Sequence, residues 1–208
     1  ILLVPPKYFI ENVEALMDTI NEWCYDRSSG VLSFIPRKKI TNPNEANIII
    51  PKLNQLVQVQ GTREKPVRNL RFYKLTFKNT GQGGNATLSA QYVKNCEWLA
   101  NRIENVGQTA IQLGLGSYHN LISKNVINDG RGTGIVVAGT TKPENWNDLV
   151  SDNMISYNKI TNLRPAVKGI ATYNALRSAV SHNYVSNTGS YGITLGSWPN
   201  IEETSDGS

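Results

Sequence analysis

Asn183-Tyr184-Val185-Ser186-Asn187-Thr188-Gly189-Ser190-Tyr191-Gly192-Ile193 decides the fold, because the chain has used this stretch several times. Earlier copies read Asn158-Lys159-Ile160-Thr161-Asn162 closing at Gly169-Ile170, and Asn125-Val126-Ile127-Asn128-Asp129-Gly130 closing at Gly134-Ile135. The first full copy is Asn101-Arg102-Ile103-Glu104-Asn105-Val106-Gly107, closing at Ala110-Ile111. Steps between the leading asparagines are 24, 33 and 25 residues, and the long step falls back to 24 without the polar insertion Thr140 to Asp148. A fixed period of this size is the signature of a solenoid.

Within each copy no apolar spacing suits a helix, whereas alternation fits short strands: Ile111-Gln112-Leu113, Ile135-Val136-Val137, Ile193-Thr194-Leu195. Each copy therefore reads as about three strands and tight turns, stacked on the next about 4.8 Å away. The fold class is all-β, a parallel β-helix of about five coils. Ile111, Ile135, Ile170 and Ile193 form one inward column, and Phe77, Ile103, Ile127, Ile160 and Val185 another. Asn101, Asn125, Asn158 and Asn183 are expected in single file, each taking the left-handed corner conformation and bonding to the next amide. Leu75 replaces asparagine one copy earlier, so the file starts at Asn101.

Residues 1–66 differ: a short helix over Val13 to Ile20, a hairpin turning at Asp26 to Gly30, and strands at 47–51 and 56–61. This part is read as an elaboration packed on the solenoid, 67–200 as the β-helix, and 201–208 as a loose tail. The opening Ile1-Leu2-Leu3-Val4-Pro5-Pro6 lacks a basic n-region and reads as the start of a fragment rather than a signal peptide.

Net charge is +5 with the basic residues scattered, which argues against nucleic acid and leaves an anionic polysaccharide open. No apolar stretch is long enough to span a membrane. Cys24 and Cys96 are either buried free thiols, the preferred reading, or one disulfide.

A resemblance enters with the hairpin Glu-Trp-x-Tyr-Asp-Arg-x-x-Gly-x-Leu-x-Phe-x-Pro at 22–36. It is followed by Pro-x-Leu-x-x-Leu-Val at 51–57, Val-Arg-Asn-Leu-x-Phe-x-x-Leu-Thr-Phe at 67–77, and then the Asn-x-Ile repeats. That order resembles bacterial right-handed parallel β-helix proteins of the pectin-lyase-like kind, similar to glycoside hydrolase family 141. The resemblance implies a right-handed coil and activity on plant or microbial polysaccharide. It transfers no catalytic residue.

The strands opening at Gly-Ile are the best floor for a glycan. Two outward columns are expected there: Thr87, Ala110, Gly134, Gly169, Gly192, and Ser89, Gln112, Val136, Ala171, Thr194. Glycoside hydrolysis needs two carboxylates, and this floor has none. Loops must supply them, so Asp129 on one rim is set against Glu144 or Asp148 in the insertion on the other. The alternative is that Asp129 is only a turn former in a column with Asn105, Asn162 and Asn187. Trp146, Tyr173, Asn174 and Trp198 would form an aromatic and polar lip, Gln112 a floor contact, and Arg131 an opposite-rim contact. Arg131, Arg164 and Lys168 suit a uronate. No cofactor is expected; calcium at Asp129, Asp148 and Asp152 lacks a signature spacing, and no Cys/His cluster has zinc spacing.

Three functions therefore stand: a glycoside hydrolase; a polysaccharide lyase or carbohydrate-binding solenoid for uronate glycans; and a structural solenoid. The expected partner is a polysaccharide or oligosaccharide, and the expected location secreted, periplasmic or cell-surface.

Overall fold

The computed structural model describes residues 12–37, 42, 46–84, 86–140 and 142–196. They fall into two compact units, Ile1–Ile48 and Ile49–Ser208.

In the first unit, strands Trp23–Asp26 and Val31–Phe34 pair antiparallel, Trp23 opposite Phe34 and Asp26 opposite Val31. Asp26 organises the turn: its carboxylate accepts from the Ser28 N–H, the Ser28 hydroxyl and the Ser29 hydroxyl. These bonds hold the Asp26 pKa down to about 2. The helix expected from Val13 to Ile20 is only a 3-10 turn, Glu14–Leu16. The Asp18 and Thr19 N–H groups donate to the Glu22 carboxylate, which removes the donors a longer helix would need.

The second unit is a coil of three parallel sheets of five or six strands, with two short parallel ladders, Val67–Arg68 on Val93–Lys94 and Val150–Ser151 on Ala175–Leu176, in the connection from the first sheet to the second. Sheet I stacks Val57–Gln60, Ala86–Gln91, Thr109–Leu113, Ile135–Ala138, Ile170–Tyr173 and Ile193–Gly196. Sheet II stacks Arg71–Tyr73, Glu97–Leu99, Leu121–Ser123, Met154–Ser156 and Ala179–Ser181. Sheet III stacks Thr76–Thr80, Arg102–Val106, Val126–Gly130, Lys159–Leu163 and Tyr184–Ser186. The chain runs I, II, III and back to I, and sheet I takes in Val57–Gln60, ahead of residue 67. Residues 47–50 form no strand, and Ile48, Ile49 and Ile50 are exposed.

Both isoleucine columns are in register. Ile111 pairs with Ile135, Ile135 with Ile170, and Ile170 with Ile193. Phe77, Ile103, Ile127, Ile160 and Val185 follow one another across sheet III. Ile111, Ile135, Ile170, Ile103, Ile127 and Ile160 are fully buried, and Trp98 stacks on Phe72 at 5.6 Å beneath sheet II. Cys24 and Cys96 are both free and buried.

The asparagine file forms at the corner between sheets II and III. Asn101 Nδ2 donates to Asn125 Oδ1 at 3.0 Å, Asn125 to Asn158 at 2.9 Å and Asn158 to Asn183 at 3.0 Å. Each Oδ1 also accepts the preceding member's backbone N–H, and Leu75 ends the file by donating its N–H to Asn101. The left-handed residue is the one before each asparagine: Ala100, Lys124, Tyr157 and His182 have φ of 54–58°. The sequence reading placed that conformation on the asparagines themselves. They stay extended because their amides must point inward to reach the neighbouring coils.

A second, shorter file borders the other end of sheet II. Asn120 Nδ2 donates to Asn153 Oδ1 at 3.0 Å, Cys96 N donates to Asn120, and Asn153 N donates to the Ser178 hydroxyl.

Candidate functional site: the outer face of sheet I and the inserted turn

The strand register settles which side chains of sheet I face outward. Gln58, Ser89, Gln112, Val136, Ala171 and Thr194 form one file across the sheet. Gln60 and Gln91 are paired in the next file, and Ala138, Tyr173 and Gly196 continue it. Thr87, Ala110, Gly134, Gly169 and Gly192 were expected to face outward as well, and this is corrected. Thr87 and Ala110 are buried, and the Thr87 hydroxyl meets that of Thr80 in the interior at 3.2 Å. A Cβ on Gly134 would sit 2.8 Å from the Ile160 Cγ2, and one on Gly169 2.3 Å from the Val185 Cγ1. The chain is still turning from sheet III at these positions, so two successive side chains face the core. Gly134 and Gly169 are required by packing and are no part of a glycan floor.

One rung of the floor is bridged. Lys168 Nζ donates to the Tyr173 hydroxyl, and the ammonium lies 5.1 Å from the ring centre. Lys168 lies in the turn before the strand and Tyr173 ends it, so the two side chains reach toward each other along the strand. The sequence reading had put these two residues on opposite rims.

The insertion forms a single 3-10 turn, Trp146–Asp148, closed by a reciprocal capping box between Asn145 and Asp148. Asp148 is 2% exposed and accepts four hydrogen bonds. Arg63 donates from Nε at 2.9 Å and Nη2 at 2.8 Å, Tyr92 from its hydroxyl at 3.0 Å, and Asn145 from its backbone at 3.1 Å. Arg63 also reaches the exposed Glu144 carboxylate at 3.3 Å. The Arg63 guanidinium, aided by Tyr92, holds Asp148 below the usual carboxylate range despite its burial. Burial, and donation to that carboxylate, push the Tyr92 hydroxyl up.

An ionised carboxylate with its lone pairs occupied is not placed to deliver a proton or attack a sugar. Asp148 is the anchor of the insertion. Asp129 lies at the other corner, between sheets III and I, in a file of left-handed residues with Asn79, Asn105, Asn162 and Asn187, φ 50–61°. The strand between the rims, residues 134 to 139, spans about 17 Å at 3.3 Å per residue. That exceeds the roughly 5.5 Å of a retaining pair and the 6.5–9.5 Å of an inverting one, so the structure does not bring Asp129 together with Glu144 or Asp148.

The remaining expected site residues lie as follows. Gln112 is half-buried on the floor. Arg131 is exposed at the III–I corner, where its backbone N–H bonds the Val106 carbonyl. Asn174 takes a left-handed φ of 48° just past its strand. Trp198 lies outside the described residues. Asp152 is held by Arg177 through two bonds of 2.8 Å, so the three aspartates weighed for calcium go to three separate places. Trp146 is the outlier: its turn is braced from below, yet its side chain is 84% exposed.

Residues 54–205 match the family described as "Right handed beta helix region". The chain belongs to this right-handed β-helix family. A solved structure named "Glycoside hydrolase" superposes on this β-helix with a TM-score of 0.68 and 19% identity, covering 89% of this chain and 40% of its own. At that identity the likeness is one of fold, and the β-helix described here spans less than half of that chain. No curated protein matches the sequence.

Sequence reasoning missed Arg63 and Tyr92 as the anchors of the β-helix insertion. Arg63 lies 85 residues before Asp148 and Tyr92 56 before it. One signal was available: Gly116 has a φ of +65°, and a Cβ there would sit 2.2 Å from the Tyr92 ring. A glycine in that connection therefore marks where the Tyr92 ring comes in.

Proposed function

We propose that this β-helix is the polysaccharide-binding body of a carbohydrate-active protein of the glycoside-hydrolase kind, with the glycan lying on the outer face of sheet I. Trp146 carries the reading. A ring left in water at the rim of a neutral, amide-lined sheet is a platform for the C–H face of a sugar. Its turn is already fixed by Asn145, Asp148, Arg63 and Tyr92, so little ordering remains to be done on binding. Ser89, Gln112 and Gln58 in one file, with Gln60 and Gln91 beside them, offer hydroxyl and amide partners at one-rung intervals.

The test is affinity electrophoresis and reducing-end release on a panel of neutral and uronic glycans, with Trp146→Ala beside the parent. Retention by at least one glycan that weakens about tenfold or more in the variant supports the reading; a stacked indole face of about 100 Å² at 25 cal/mol/Å² sets that scale. Equal retention of both proteins would sink it, and retention of neither on any glycan favours the structural solenoid.

A lyase reading has one observation of its own, the Lys168–Tyr173 pair on the floor, with Arg131 and Arg164 exposed at the corner before it. An amine beside a phenol suits proton abstraction next to a uronate carboxylate. Release of unsaturated uronate products, lost in Lys168→Ala, would select that reading over hydrolysis.

A further inference from the structure

A pocket of about 260 Å³ opens just past the edge of sheet I, beneath the inserted turn. Tyr92 immediately follows the floor residue Gln91, and Gly116 comes soon after the strand Thr109–Leu113, so the pocket begins where the floor ends. Its wall includes Glu64, Arg68, Tyr118 and Asn147. We propose that it is a subsite for one neutral sugar ring, a side branch or chain end of a glycan lying on sheet I; this rests on the reading of sheet I given above.

Size comes first. Drug-sized ligands occupy roughly 300–1,000 Å³, so this pocket suits a single ring rather than an oligosaccharide. Chemistry comes second. Arg63 and Tyr92 are committed to Asp148. By contrast, the exposed side chains of Glu64, Arg68 and Asn147 and the hydroxyl of the half-buried Tyr118 face water, with no protein hydrogen bond among the described residues, and are free to meet a ligand. A carboxylate, a guanidinium, an amide and a phenol together supply both donors and acceptors, which is what a ring of hydroxyls requires. The Tyr118 ring adds an aromatic wall, held by the Lys94 ammonium 4.9 Å from its centre.

Charge decides between sugar classes. Arg63 is paired with Asp148, which leaves Arg68 and Glu64 as the two unpaired charges of the lining, one of each sign. A uronate would gain the Arg68 guanidinium but face the Glu64 carboxylate, whereas a neutral ring uses both as hydroxyl partners.

Calorimetry with the methyl glycosides of D-galactose, D-xylose and L-arabinose, and with D-galacturonate, tests this on the whole chain. At least one neutral glycoside should bind, and bind more tightly than galacturonate. Arg68→Ala and Glu64→Gln should each lower that affinity about tenfold or more, as expected when a hydroxyl loses its partner. Chemical unfolding of each variant shows that it is folded, and Asn147→Ala provides a second probe should Arg68→Ala fail to fold. Binding of no methyl glycoside, tighter binding of galacturonate, or affinity unchanged in Arg68→Ala, Glu64→Gln and Asn147→Ala would overturn the proposal. An unbranched xylan separates the two readings. Xylan retained through Trp146 while no monosaccharide binds means that the pocket fails alone. Monosaccharide binding without retention of any unbranched glycan means that the floor fails alone.

Discussion

Asn125→Ala tests the asparagine file at its centre. Asn125 is 1% exposed. Its Nδ2 donates to the Trp98 carbonyl at 2.8 Å and to Asn158 Oδ1 at 2.9 Å, while its Oδ1 accepts from the Asn101 backbone at 2.9 Å and from Asn101 Nδ2 at 3.0 Å. Truncation leaves the buried Asn101 N–H with no partner, which costs about 1–3 kcal/mol, and removes three further bonds worth about 0.5–1.5 kcal/mol each. We expect about 4 kcal/mol in all, a large share of the 5–15 kcal/mol that holds a typical domain together. Asn183→Ala should cost less, because Asn183 is only half-buried and water can replace part of what is lost, although its side chain also makes four bonds, accepting from the Asn158 N–H and Nδ2 and donating to the Ile155 and Ser181 carbonyls. Urea unfolding followed by fluorescence is a suitable assay, since Trp98 is 1% exposed and its carbonyl is the lost acceptor. The midpoint should fall with little change in slope. A loss under about 1 kcal/mol for Asn125→Ala would refute the view that the file stabilises coil stacking.

Gly134→Ala should destabilise by about 1–3 kcal/mol through overpacking, since its Cβ would lie 2.6 Å from the Gly169 carbonyl oxygen; Gly192→Ala, whose nearest neighbour is 3.7 Å away, should be neutral or slightly stabilising in the same titration. Arg63→Ala should loosen the 140–149 insertion with little change in the coil, read as faster amide exchange there and earlier proteolysis. Acid should act on the same insertion. Because the folded pKa of Asp148 is depressed, its bond to Arg63 contributes fully above the unperturbed 3.8 and is lost as pH falls through the lower folded value. Proteolysis of the insertion in the parent should therefore rise below about pH 4 and stay flat with pH in Arg63→Ala. For Asp152, held by Arg177 at about 2, the stabilising contribution should fade between pH 3.8 and about 2.

The coil was legible because its columns repeat like with like. Isoleucine over isoleucine and asparagine over asparagine need only the period to be found. What escaped lacks that property. The left-handed corner is filled by Ala100, Lys124, Tyr157 and His182, which share a backbone angle and no side-chain chemistry. The second amide file has only two asparagines, Asn120 and Asn153, and ends on a cysteine N–H and a serine hydroxyl. Gly134 and Gly169 sit one position before an inward isoleucine, so simple alternation points them outward; only the corner turns them in. The braced insertion depends on Arg63, 85 residues from its partner, a contact that no local pattern encodes. Trp146 was read as a stacking residue from its place in an interruption of the repeat. Its companions Glu64, Arg68 and Tyr118 were not, because they come from other coils.

The two amide files flank the short strands of sheet II, and the connection that varies in length lies upstream of both. Whatever the chain does between leaving sheet I and reaching Tyr118 or Val150, the pairing of Lys94, Tyr118 and Ser151 and the amide that follows restore the stacking before sheet II begins. Added length there carries only the slowly growing entropy of a larger loop, and its effects do not propagate down the coil. This corner is thus the molecule's spare socket: a place where new recognition loops can be fitted, exchanged or lengthened while the spine behind them keeps its pitch.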